Sequence, residues 1–136
     1  MVEKDAILSK ISIVQNCLKM IQRATSLDPK NLDDAMLQDV FVLNIQRAVQ
    51  ACIDMAHLMI SEKGLKLPTT YKEAFLILAK EKFISDKSAS KMGKMCGFRN
   101  IAIHDYQSLD IAILKSILIN NLKDFEEFYA QVYKVL

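Results

Sequence analysis

Apolar residues recur at three- and four-residue steps along almost the whole chain, and nowhere alternate over the length of a strand, so the pattern predicts helices throughout. Ile7, Leu8, Ile11, Val14, Leu18 and Ile21 form one stripe on a first helix from about Val2 to Thr25. Asp28-Pro29 is a turn signal, and Asn31 or Asp33 can cap the next helix. That helix, about Leu32 to Lys63, is apolar on two sides. Leu37, Val40, Phe41, Ala48, Ala51, Cys52, Met55, Leu58 and Met59 form one stripe, and Ile45, Val49, Ile53, Ala56 and Ile60 a second on nearly the opposite side. Only a wedge of Gln46, Arg47, Gln50, Asp54 and His57 is polar. Such a helix is either central in its bundle or shared with another subunit. In a small bundle each helix has one inner face, so the second stripe points to a partner surface and a homodimer; the alternative is cover by a neighbouring helix of the same chain.

Gly64 ends the second helix, and Thr69 or Thr70 can cap a shorter third one through about Lys82, with Tyr71, Phe75, Leu76 and Leu78 as its buried side. "ISDKSAS" breaks the chain again, and Asp86 or Ser88 starts a fourth helix over about 88–104. A final helix, about Leu109 to Tyr133, carries Ile111, Leu114, Leu118, Leu122, Phe125, Phe128 and Val132. The expected fold is all-α, an up-and-down four-helix bundle with an additional short helix, in one domain spanning residues 1–136.

The fourth helix carries the chemistry. At about 100° per residue, Gly93, Gly97, Asn100 and His104 fall on one narrow face with Arg99 on its flank. Two glycines inside a helix cost about 1 kcal/mol each relative to alanine, which suggests that something approaches the backbone closely there. Arg99 and His104 are five residues apart and so point roughly 140° away from each other. They converge if the helix distorts near His104, or if two such helices pack across a two-fold axis and each contributes one group. Histidine transfers protons near neutrality and arginine holds a fork suited to phosphate oxygens. Asn100 could orient the imidazole or the phosphate. His57 lies in the polar wedge and reads as structural, and Asn44, inside an apolar stripe, must be hydrogen-bonded.

Composition narrows this. The net charge of +2 is too small to imply a polyanion partner, but residues 61–99 carry nine basic and four acidic side chains, and that basic third leads into Arg99. Lys87, Lys91 and Lys94 lie on another side of the fourth helix from His104, flanking a ligand or facing water. Cys17, Cys52 and Cys96 are odd in number, far apart and set in apolar runs, so neither a disulfide framework nor a metal site is expected. "VEKDAILSK" after Met1 has no apolar core of a signal peptide, and no apolar run reaches a membrane span. A cytoplasmic protein is expected.

"MCGFRNIAIHDY", with Arg-x4-His-x-Tyr at Arg99, His104 and Tyr106, resembles the signature of the HEPN superfamily in its HepT-like toxin branch. "FVLNIQRAVQACIDMAHLMIS" resembles the long second helix of that branch, and "LPTTYKEAFLILAKEKFIS" the segment between, so the likeness runs from about Asn31 to Phe128. The resemblance implies a HEPN-like fold and a metal-independent toxin ribonuclease acting on RNA, with Arg99 and His104 catalytic at a composite dimer site. It also implies that Tyr106 accepts AMP from a partner MntA-like minimal nucleotidyltransferase, the antitoxin. ATP and magnesium would serve that partner, leaving this chain without a cofactor. The alternative is a non-catalytic binding subunit of a two-component nucleotidyltransferase, on the same fold and dimer. A third reading is a helical dimerisation module without chemistry.

Overall fold

A computed structural model describes residues 2–136, with side chains from Lys4 onward. Among the described residues six α-helices follow one another: α1 (Val2–Thr25), α2 (Ala35–Glu62), α3 (Tyr71–Lys80), α4 (Asp86–His104), α5 (Ile111–Asn120) and α6 (Leu122–Lys134). Short 3-10 turns occupy Pro29–Asp33 and Tyr106–Ser108. Local chemistry sets the ends. The Asp34 carboxylate, and not Asn31 or Asp33, caps α2 by accepting the Met36 and Leu37 N–H groups at 2.8 and 3.1 Å. Gly64 stops α2 with φ +65°, where the following Leu65 N–H reaches back to the Ile60 carbonyl at 3.0 Å. Thr70 caps α3 through the Glu73 N–H, and Glu73 returns the bond to the Thr69 N–H, both at 3.0 Å.

The α2 helix is the axis of the bundle, touching α1, α3, α4 and α6. This corrects the reading of its second stripe. Ile45, Val49, Ile53, Ala56 and Ile60 are all buried inside the chain, so they do not form a subunit surface. The bundle wraps α2 on every side except its polar wedge, which is why both stripes are apolar.

The final helix is also corrected, because it is two. The chain turns at Asn121, a weak helix former, whose side-chain amide donates to Asp124 at 2.9 Å. The turn lets α5 bury Leu114 against the 3-10 turn at Pro29–Asp33, while α6 drives Phe125, Phe128 and Val132 into the core beside α1, α2 and α4. Phe128 meets Phe75 of α3 edge-to-face at 5.4 Å. In α3 Phe75 and Leu78 are buried as expected, whereas Tyr71 and Leu76 face outward and Ala74 takes an inner position. Asn44 is buried and its amide donates to the Val40 carbonyl at 2.8 Å. All three cysteines are buried free thiols. No described helix is long and apolar enough to cross a membrane.

Candidate functional site

Ser85 caps α4 by accepting the Ser88 N–H at 3.0 Å. From there the helix runs regularly to His104, where the Asp105 N–H closes on the Ile101 carbonyl at 2.8 Å. With no distortion, the two groups keep the roughly 140° divergence that regular geometry imposes, and one chain does not bring Arg99 and His104 together.

Arg99 turns toward α2 and α3. Its Nη2 donates to Gln50 Oε1 at 2.5 Å, and its guanidinium carbon lies 5.6 Å from the Tyr71 ring centre. Gln50 is itself held. Its amide donates to Asp54 at 2.9 Å, and the other Asp54 oxygen pairs with Lys10 at 3.1 Å. Tyr71 packs edge-to-face on His57 at 6.0 Å, and His57 Nδ1 donates to the Ile53 carbonyl at 2.9 Å. Arg99 is therefore fixed before any ligand arrives, and a guanidinium has five N–H donors, so most stay free for an anion. His104, by contrast, is exposed in the last turn of α4.

The glycine face lines a groove of about 660 Å³, walled by His57, Thr70, Tyr71, Gly93, Gly97 and Asn100. The two glycines differ in what they admit. A Cβ at Gly93 would meet the Lys72 side chain of α3 at 3.2 Å, so the close approach there is made within the chain. A Cβ at Gly97 would meet nothing within 4 Å. Gly97 is thus exposed, and no part of this chain packs on it. A hollow of similar size, about 670 Å³, lies between the end of α3 and α6 and contains no signature residue. Lys91 does not flank the groove; it pairs with the buried Asp124 at 3.1 Å and ties α4 to α6.

Tyr106 opens the 3-10 turn that follows α4 and stays partly exposed. Its hydroxyl donates to the Asp39 carboxylate on α2. Burial, then the hydrogen bond to Asp39 and the charge of that carboxylate, push the phenol up to about 12. Burial likewise pushes the Cys96 thiol up to about 11, the nearby Arg99 opposing it. Among the described residues no three His, Cys, Asp or Glu side chains gather as a metal site would require.

A helical bundle whose fourth helix carries Arg-x4-His, followed by a tyrosine docked on the central helix, is a HEPN-type domain. More narrowly, the chain belongs to the Ribonuclease HepT-like family, whose sequence model matches residues 14–132. It is similar to the mRNA nuclease HepT of Shewanella oneidensis, with 36% identity over 124 residues, covering 91% of this chain and 93% of that one. Its backbone matches the tri-AMPylated Shewanella oneidensis HEPN toxin in complex with MNT antitoxin at a TM-score of 0.90, with 35% identity over 96% of this chain and 98% of that one. A toxin–antitoxin crystal structure with AMP-PNP matches at a TM-score of 0.91, with 34% identity and the same coverage.

Proposed function

We propose that this chain is the toxin ribonuclease of a toxin–antitoxin pair, cleaving RNA without a metal at a site built from two copies of the chain. The observation that carries this reading is the intact Arg99-x4-His104-x-Tyr106 signature in a chain similar over nearly its whole length to an mRNA nuclease. Because Arg99 and His104 diverge within α4, a second copy would supply the missing partner of each. Ile101, one turn beyond Gly97 on the same side of α4, is about half exposed, an apolar side chain available to that contact. Gly97 is open where a second helix would approach.

In the cleft so formed, His104 of one copy takes the proton of the RNA 2′-hydroxyl and returns it to the leaving 5′-oxygen. Arg99 of the other copy faces the phosphate oxygens as negative charge grows on them, already oriented by Gln50 and Tyr71. Asn100 orients the imidazole or the phosphate. These side chains account for the step with no cofactor of this chain's own.

The antitoxin is an MntA-like nucleotidyltransferase that uses ATP and magnesium to place AMP on Tyr106. The similar Shewanella oneidensis toxin is itself tri-AMPylated and in complex with an MNT antitoxin, and Tyr106 is exposed two residues from His104. Added phosphates there repel and occlude the RNA backbone. The pair works in the cytoplasm, where buried free thiols stay reduced.

The test is RNA cleavage in EDTA by unmodified parent, Arg99→Ala and His104→Ala chains, each verified as folded. The reading predicts cleavage by the parent and a loss of at least about a hundredfold in both variants. Parent and variants cleaving alike would refute the site. A parent of unmodified mass that cleaves nothing would leave the non-catalytic subunit.

A further inference from the structure

The bond between Tyr106 and Asp39 joins residues 67 positions apart, and nothing in RNA cleavage uses it. Asp39 and Gln50 are eleven residues apart on α2, so they point within about 20° of each other. One face of α2 therefore grips both ends of the signature, Arg99 through Gln50 and Tyr106 through Asp39. The two grips differ in chemistry. Gln50 offers a neutral acceptor that orients a cation. Asp39 offers a carboxylate to a neutral O–H, and a carboxylate can receive the proton it is offered.

We propose that Asp39 is the general base for adenylylation of Tyr106, so that the toxin itself carries the proton acceptor of its own inactivation. This rests on the adenylylation reading above. As the Tyr106 oxygen attacks the α-phosphorus of ATP held by the nucleotidyltransferase, the O–P bond forms and the bond from that phosphorus to the bridging oxygen of pyrophosphate breaks. Pyrophosphate leaves with the bond's electron pair, and the phenolic proton passes to Asp39 and then to water.

Transfer is concerted with O–P bond formation. A free phenolate is the disfavoured form here, first because the oxygen is drawn partly out of water and then because it bonds to and faces the Asp39 carboxylate. The carboxylate therefore acts only while the oxygen is losing its charge to phosphorus. Asp39 is the charged group that meets the phenol from another helix. On its own segment His104 and Asp105 lie within two residues, and Asp105 is engaged by the Ser108 hydroxyl.

The experiment uses the partner nucleotidyltransferase, ATP and magnesium with the parent, Asp39→Asn and Tyr106→Phe chains, following modification by intact mass from pH 6.5 to 9. Asparagine keeps the shape and an acceptor oxygen for the hydroxyl, so a contact that only positions Tyr106 would survive it. The expected result is a rate about a hundredfold below the parent at pH 7, rising about tenfold per pH unit as phenolate replaces the missing base, while the parent rate stays flat. Thermal unfolding of Asp39→Asn confirms that the fold is intact. An Asp39→Asn chain modified at the parent rate with the parent pH profile overturns the proposal. A parent that gains no AMP, or a Tyr106→Phe chain that gains it as fast, overturns the adenylylation reading and this inference with it.

Discussion

Replacing Gly97 with alanine should stabilise the protein and impair it. Gly97 sits inside α4 with helical backbone and no atom within 4 Å of the position a Cβ would take. Alanine there gains the helix propensity that glycine forgoes, about 1 kcal/mol, without steric cost. At about 2.1 cal/mol/K of unfolding entropy per residue, that raises Tm by roughly 3–4 °C in a chain of this size. Gly93 is the internal control. Its added methyl would press on the Lys72 stem at 3.2 Å, and displacing that flexible side chain offsets part of the same gain. Denaturant unfolding should therefore rank Gly97→Ala above Gly93→Ala, with both at or above the parent. Cleavage should move the other way if the proposed second copy packs on this exposed face, because the added methyl would stand between the two helices. We expect Gly97→Ala to lose about tenfold or more in RNA cleavage, a change of about 1.4 kcal/mol in the barrier, and to shift toward monomer in light scattering. A Gly97→Ala chain that is more stable, equally dimeric and equally active would refute the argument that the glycine is kept for close approach.

Three further outcomes follow from contacts in the bundle. Gln50→Leu removes the acceptor that aims Arg99 and should lower kcat about tenfold with little change in Tm, as read by steady-state cleavage and thermal melts. Asp124→Ala strands Lys91 and Asn121 beside a nearly inaccessible site, and guanidinium titration should show a loss of about 3 kcal/mol; a loss under about 1 kcal/mol would show that the α4–α6 tie is dispensable. Tyr106 keeps its proton in the fold up to about pH 12, above the ordinary phenol value of 10. The folded state thus holds the extra proton, and this contribution to stability, full below pH 10, should decline as pH rises from 10 through 12. Tyr106→Phe should remove that part of the alkaline decline in pH-dependent melts.

What could be read from sequence was local. The Ile7–Ile21 stripe and the turn at Asp28-Pro29 predicted a first helix over Val2–Thr25, the span that forms. The Gly93, Gly97 and Asn100 face read at 100° per residue is the wall of the groove. What escaped depends on residues far apart in the chain. Periodicity reports that Ile45, Val49 and Ile53 are buried but not by which molecule, and α2 being central left no subunit face there. The break at Asn121 was masked because Leu118, Leu122 and Phe125 continue a helical spacing across it. Gln50 and Asp39 act on Arg99 and Tyr106 from 49 and 67 residues away, and no spacing rule reaches that distance. Four-residue spacing of Gln50 and Asp54 on the polar wedge was the one local hint of a built network.

The most direct test of a site shared between two copies is cleavage by defined heterodimers. One joins an Arg99→Ala chain to a His104→Ala chain; the other joins the parent to a chain carrying both substitutions. Each contains one arginine and one histidine. If Arg99 of one copy works with His104 of the other, the first heterodimer cleaves RNA at about half the parent rate, one of its two cross-chain pairs being intact, and the second does not cleave. Activity in the second and none in the first would place both groups in one chain and contradict the account.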